Sequence, residues 1–184
     1  HEHYRRLQKG GRRFLAHVGI QHAPKALRRA LLVGLEYWDV DVENAHPNIL
    51  NALTGGRFPA LAAYCRDREG HLARDVEHYR CSRGAAKTQR LMLTYCARLN
   101  GRSVREWRHA ETAGADHSRA VLEYAQAVED AGKTVLEAAG YLAPEERSAP
   151  LTADMRRALA LLVQAQEDLI LRACERYHRG RGEI

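Results

Sequence analysis

No apolar run in this 184-residue chain approaches the roughly 20 residues that a membrane-spanning helix needs, which excludes a helical span within it. Lysine is scarce: Lys9, Lys25, Lys87 and Lys133 are the only four, and the rest of the 29 basic residues are arginine. Cysteine is sparse as well. Cys65, Cys81, Cys96 and Cys174 form no CxxC pair and have no histidine at zinc-site spacing, which excludes the common structural zinc modules. They read as buried free thiols of a reducing compartment. No internal repeat and no low-complexity tract is present, and the opening residues lack the residue order of a secretory leader. The expectation is an intracellular protein with no membrane partner.

What is present is an arginine-rich, helix-forming chain. Hydrophobic residues make up 45%, enough for a packed core and against wholesale disorder. The net charge is +6 and the pI is near 9.4, a balance that suits a polyanionic partner such as nucleic acid or nucleotide. A solvated charged surface accounts for the charge equally well.

One stretch departs from the helical pattern. "YWDVDV" at 37–42 alternates aromatic and β-branched residues and predicts a strand. Asn44 can cap the helix that follows, with Pro47 in its first turn and Gly55-Gly56 at its end. "FPALAAYCRDREGHLARDVEHY" predicts one or two helices. "SRGAAKTQRLMLTYCARLNG" predicts another, capped by Ser82 and stopped by Asn100-Gly101. Two long amphipathic helices follow, separated by the Pro-bounded loop "APEERSAP".

Three groups of residues carry candidate chemistry. Asp41 at a strand end would be held rigidly against a cleft, as a metal ion bridging phosphate oxygens requires, although a lone Asp is more often a cap or a turn ion pair. Arg83, Lys87, Leu91 and Tyr95 recur every four residues and so share one helical face. Two cations near a helix start could grip phosphates and the ring could stack on a base; the plainer reading is a solvated basic face with Leu91 and Tyr95 in the core. Finally, "GRRFLAHVGIQHAPKALRRAL" reads either as a loop that grips a duplex backbone or as a basic linker.

In this order the groups resemble the family A DNA polymerases. Gly11-Arg12 and "IQHAP" at 20–24 stand where that family carries a Gly-Arg segment and a Leu-Gln-x-x-Pro segment; "DVENAHPNIL" from Asp41 looks like its metal-binding motif, and "RGAAKTQRLMLTY" looks like its fingers helix. The likeness is nearer to a divergent branch found in large DNA viruses and some eukaryotic genomes. That branch carries Asp-x-Asp-x-x-Asn-x-His-Pro-x-x-Leu, matched from Asp39 to Leu50. It then carries Tyr-x-x-x-Arg-Glu, here Tyr64, Arg68 and Glu69; Arg-x-x-Ala-Lys, here Arg83, Ala86 and Lys87; and Gln-x-x-Glu, here Gln164 and Glu167.

The resemblance implies an α+β, helix-dominated fold with a small antiparallel palm sheet and helical fingers, truncated before a second metal-binding hairpin. It divides the chain into a palm part at 1–56, helical fingers at 57–114 and helices returning to the palm at 115–184. It implies a fragment of a template-directed DNA polymerase, a nucleotidyltransferase using two Mg²⁺ or Mn²⁺ ions and inactive alone. Asp41 would be the catalytic carboxylate and, with the Val42 carbonyl, would hold the metals. Arg83 and Lys87 would bind the incoming deoxynucleoside triphosphate, Tyr95 would lie beside the templating base, and His46 near the sugar. Arg12, Gln21 and Gln164 would contact the primer–template. Two departures stand out. Cys96 replaces the glycine expected after Tyr95, and no second metal-binding Asp is found before Ile184, so a piece of a longer chain is expected. The rival reading is a non-catalytic, basic helical module that binds nucleic acid, or a decayed relic of a polymerase.

Overall fold

The computed structural model describes residues 43–112 and 114–181 and the backbone of a short ladder nearer the N-terminus. The ladder pairs β1 (Tyr4–Arg5) with β2 (Leu15–Ala16), antiparallel, Tyr4 facing Ala16 and Arg5 facing Leu15. The helices are α1 (Ala45–Leu53), α2 (Pro59–Arg66), α3 (Arg68–Tyr79), α4 (Arg83–Thr94), α5 (Arg102–Thr112), α6 (Arg119–Ala138) and α7 (Ala153–Gly180). The chain divides into two compact units, one from Asn44 to Val163 and one made of 1–43 with 164–184.

The larger unit is a helical bundle built around α6. That helix packs against α1, α2 and α4, and α4 in turn packs against α3 and α5. Val121, Tyr124, Val128, Ala131, Val135 and Leu136 recur at three- and four-residue spacing and are all buried, so one apolar stripe faces the neighbours. Leu50, Leu61, Leu72, Leu93, Val104, Leu151 and Leu159 complete the core from the surrounding elements. Local chemistry marks most helix starts. The side chains of Asp67, Ser82 and Ser118 accept from the N–H of Gly70, Ala85 and Val121, at 3.0, 3.1 and 3.3 Å. Pro59 opens α2, where its missing N–H costs nothing. In the smaller unit the last turns of α7 carry i,i+4 pairs such as Arg172 with Asp168, 2.9 Å.

The structure corrects the expected fold class. Among the described residues the architecture is helical and contains no palm sheet; the sole ladder has two residues in each strand. The helices here bury their apolar stripes on one another, so no sheet is needed to cover them. The strand expected at 37–42 lies outside the described residues. Two smaller corrections concern caps. Asn44 precedes α1 in the left-handed region, φ 53°, and makes no side-chain cap bond. Asn100-Gly101 does not stop α4, which ends at Thr94; it leads into α5.

Candidate functional site

α4 presents the four-residue row that the sequence singles out. Its inner face buries Ala85, Ala86, Gln89, Arg90, Leu93 and Thr94, which turns Arg83 and Lys87 to solvent. Leu91 stays 46% exposed, so the reading that places it in the core is not met. Contacts made by the inner face set this rotation of the helix. The Arg90 guanidinium is 1% exposed and meets the buried Asp75 of α3 through two bonds, Nε to Oδ2 at 2.6 Å and Nη2 to Oδ1 at 2.9 Å. It also lies 4.8 Å from the Tyr124 ring centre and 5.4 Å from that of Tyr64. The Thr94 and Tyr124 hydroxyls share a bond of 2.8 Å, and Trp107 Nε1 of α5 donates to the Ala85 carbonyl at 3.0 Å.

At the N-terminal end of the row, Glu69 of α3 reaches Arg83. Its carboxylate accepts from Arg83 Nε at 3.0 Å and from Nη2 at 2.6 and 2.8 Å. Arg68 Nη1 stands 3.7 Å away. The hydrogen bonds from Arg83 hold the Glu69 carboxyl below the usual range, and the charges of Arg83, Arg68 and Lys87 add to this. One carboxylate thus faces three cations, which leaves the cluster positive. A row of four-residue steps runs away from it, about 6 Å per step at 1.5 Å per residue.

At the far end, Tyr95 follows the last turn of α4 and His46 sits in the first turn of α1. The Tyr95 hydroxyl hydrogen-bonds the His46 ring at Nδ1, and the two rings meet edge-on with centres 5.0 Å apart. The structure therefore brings together Tyr95 and His46, which the resemblance sets beside the templating base and near the sugar and which the chain separates by the whole of α1 to α4.

Gln164 is half-buried on α7, in the other unit. Arg12, Gln21, Asp41 and Val42 lie outside the described residues. Among the described residues no group of three or more His, Cys, Asp or Glu side chains is placed to hold a metal ion. No helix among them is long and apolar enough to cross a membrane. Sequence reasoning missed the Asp75–Arg90 pair and the role of Glu69 as partner of Arg83. Only the Tyr-x-x-x-Arg-Glu segment pointed toward the latter. Tyr64 of that segment faces inward to Arg90 and Glu69 outward to Arg83, so it braces α4 on two sides.

Compared with protein-family models, with curated proteins and with solved structures, the chain matches none.

Proposed function

We propose that this chain binds a nucleoside triphosphate along the outer row of α4 and is part of a template-directed DNA polymerase related to family A. The observation that supports this reading is the row itself: Arg83 and Lys87 at the solvent-facing start of the helix, exposed Leu91, then Tyr95 bonded to His46. Two cations over a helix N-terminus suit the phosphates. The flat pair Tyr95 and His46 suits the sugar and base. In this reading Glu69 occupies Arg83 until phosphate oxygens replace it. A divalent ion would neutralise the triphosphate and activate the primer hydroxyl, and Asp41 and Val42 remain the residues proposed to hold it.

Titration with a fluorescent deoxynucleoside triphosphate tests the reading. Arg83→Ala and Lys87→Ala should each weaken binding about tenfold, the loss of one charge-assisted hydrogen bond. Glu69→Gln should tighten it by a few-fold, because a competing anion is gone. Absence of saturable nucleotide binding, or full affinity in both cation variants, would sink the proposal. A second reading, a helical module that binds nucleic acid without catalysis, is supported by the packed helices and the net charge of +6. That reading takes over if the chain binds an oligonucleotide in a salt-dependent way and ignores the nucleotide.

A further inference from the structure

Beyond the end of α4 the chain turns sharply into α5. The Gly101 N–H bonds the Arg98 carbonyl at 2.8 Å across that turn. A pocket of about 220 Å³ lies here, lined by Arg98, Gly101, Arg102, Ser103 and Arg156 among others. Two guanidinium groups converge on it from different elements. Arg98 Nη2 and Arg156 Nη1 both donate to the Leu151 carbonyl, at 3.4 and 2.6 Å. Among the described residues neither arginine forms an ion pair.

Two cations drawn to one neutral oxygen repel each other; two acidic residues of the neighbouring helices are matched elsewhere, and Asp154 in the first turn of α7 forms an ion pair with neither arginine. Glu106 accepts from Arg102 at 2.7 Å. Glu129, which together with Arg156 acts on the Cys96 thiol, pairs with Lys133 at 3.0 Å. The start of α5 adds to the positive potential. Its first-turn N–H groups have no partner within the helix, and Gly101 before them carries no side chain to cap them. An anion with several oxygens could accept from both guanidinium groups and from the helix start at once. A tetrahedral phosphate offers that; a planar carboxylate reaches fewer donors.

We propose that this pocket is a second anion site, separate from the Arg83–Lys87 row, that takes a phosphate group. The group would be either a phosphodiester of a nucleic-acid strand or a free phosphate.

The test uses the full chain, its double variant Arg98→Ala/Arg156→Ala, and Ser103→Glu. Ser103 is exposed in the first turn of α5, so a glutamate there places a carboxylate in the pocket while remaining compatible with the helix. Ser103→Glu thus keeps the proposal testable if loss of the Arg156 bond to Leu151 unfolds the double variant. The probes are a fluorescein-labelled single-stranded oligonucleotide, read by anisotropy over a salt series, and inorganic phosphate, read by the rise in melting temperature. We expect Ser103→Glu to lose about tenfold in oligonucleotide affinity at low salt. The slope of log K against log salt should fall by about one. That outcome assigns the site to a strand phosphate. If oligonucleotide binding is unchanged but the rise caused by inorganic phosphate disappears, the site stands and takes free phosphate. If the wild-type chain binds neither probe, or the folded Ser103→Glu protein behaves as wild type with both, the proposal is overturned. The loss caused by Ser103→Glu should persist in the Arg83→Ala/Lys87→Ala background, which separates this site from the nucleotide row.

Discussion

Arg90 is the residue on which the position of α4 turns. Its charge is buried with that of Asp75 and flanked by Tyr64 and Tyr124, so removing either partner leaves an uncompensated charge in the core. Asp75→Ala or Arg90→Ala should therefore cost roughly 3–5 kcal/mol in urea unfolding. Replacing both with apolar residues of similar volume should cost clearly less than either single change. Equal losses for the single and double variants would show that the ion pair is not the source of the stability. The exposed Arg83–Glu69 pair is a different case, since both ends are hydrated and screened; it matters for presentation of the guanidinium rather than for stability. Neither partnership was legible along the chain. Asp75 and Arg90 look like ordinary surface residues of two amphipathic helices, and only the packing of α3 on α4 removes them from water.

At the scale of the element, two glycines show how context sets the sign of adding a side chain. A Cβ on Gly132 of α6 would lie 2.7 Å from Leu159 Cδ2 and 3.2 Å from Cys96 Sγ. Leu159 is itself buried in the core, so it must shift within packed neighbours. Gly132→Val should destabilise by about 1–3 kcal/mol through overpacking. A Cβ on Gly84, on the exposed side of α4, meets nothing nearer than Ser82 Oγ at 3.7 Å. Gly84→Ala should stabilise by about 0.5–1 kcal/mol, because a helix favours alanine over glycine. Melting curves of the two variants should move in opposite directions, and a common direction would refute the packing account. Most helices were legible from periodicity and caps, as Ser82 shows. α5 was not: it buries only Val104, Trp107 and Thr112 on an otherwise charged surface, so its apolar stripe is too thin to read.

Across the whole molecule, buried titratable groups shape the response to pH. Burial lowers the pKa of His71 and His117 from 6.5, aided by the charges of Arg90 and Arg108 respectively. Below that value the unfolded chain takes up protons that the folded chain refuses, so stability should fall as pH drops from 6.5 toward the lowered folded values. On the alkaline side, burial pushes the Cys65 thiol up to about 11 and the Cys96 thiol up to about 12, from 9.0. These groups contribute stability in full below pH 9 and lose it as pH rises toward their folded values. The urea midpoint should accordingly peak between roughly pH 6.5 and 9. His71→Gln should flatten the acid limb and Cys96→Ala the alkaline one. A midpoint that is flat from pH 5 to about 10 would contradict this assignment.

The sequence by itself determined most of what depends on neighbours along the chain: the basic charge, the amphipathic stripes, the cap at Ser82, and the single helical face shared by Arg83, Lys87, Leu91 and Tyr95. Periodicity and capping are local, so they survive in a one-dimensional reading. Tertiary structure alone decided which polar groups meet across elements: Asp75 with Arg90, Glu69 with Arg83, His46 with Tyr95, and Arg98 with Arg156 at one carbonyl. It also replaced the expected palm sheet with helices packed on helices among the described residues. The physical reason is the same in each case. Burial and pairing depend on which surfaces are brought together, and helical periodicity says that a face is apolar without saying what will cover it.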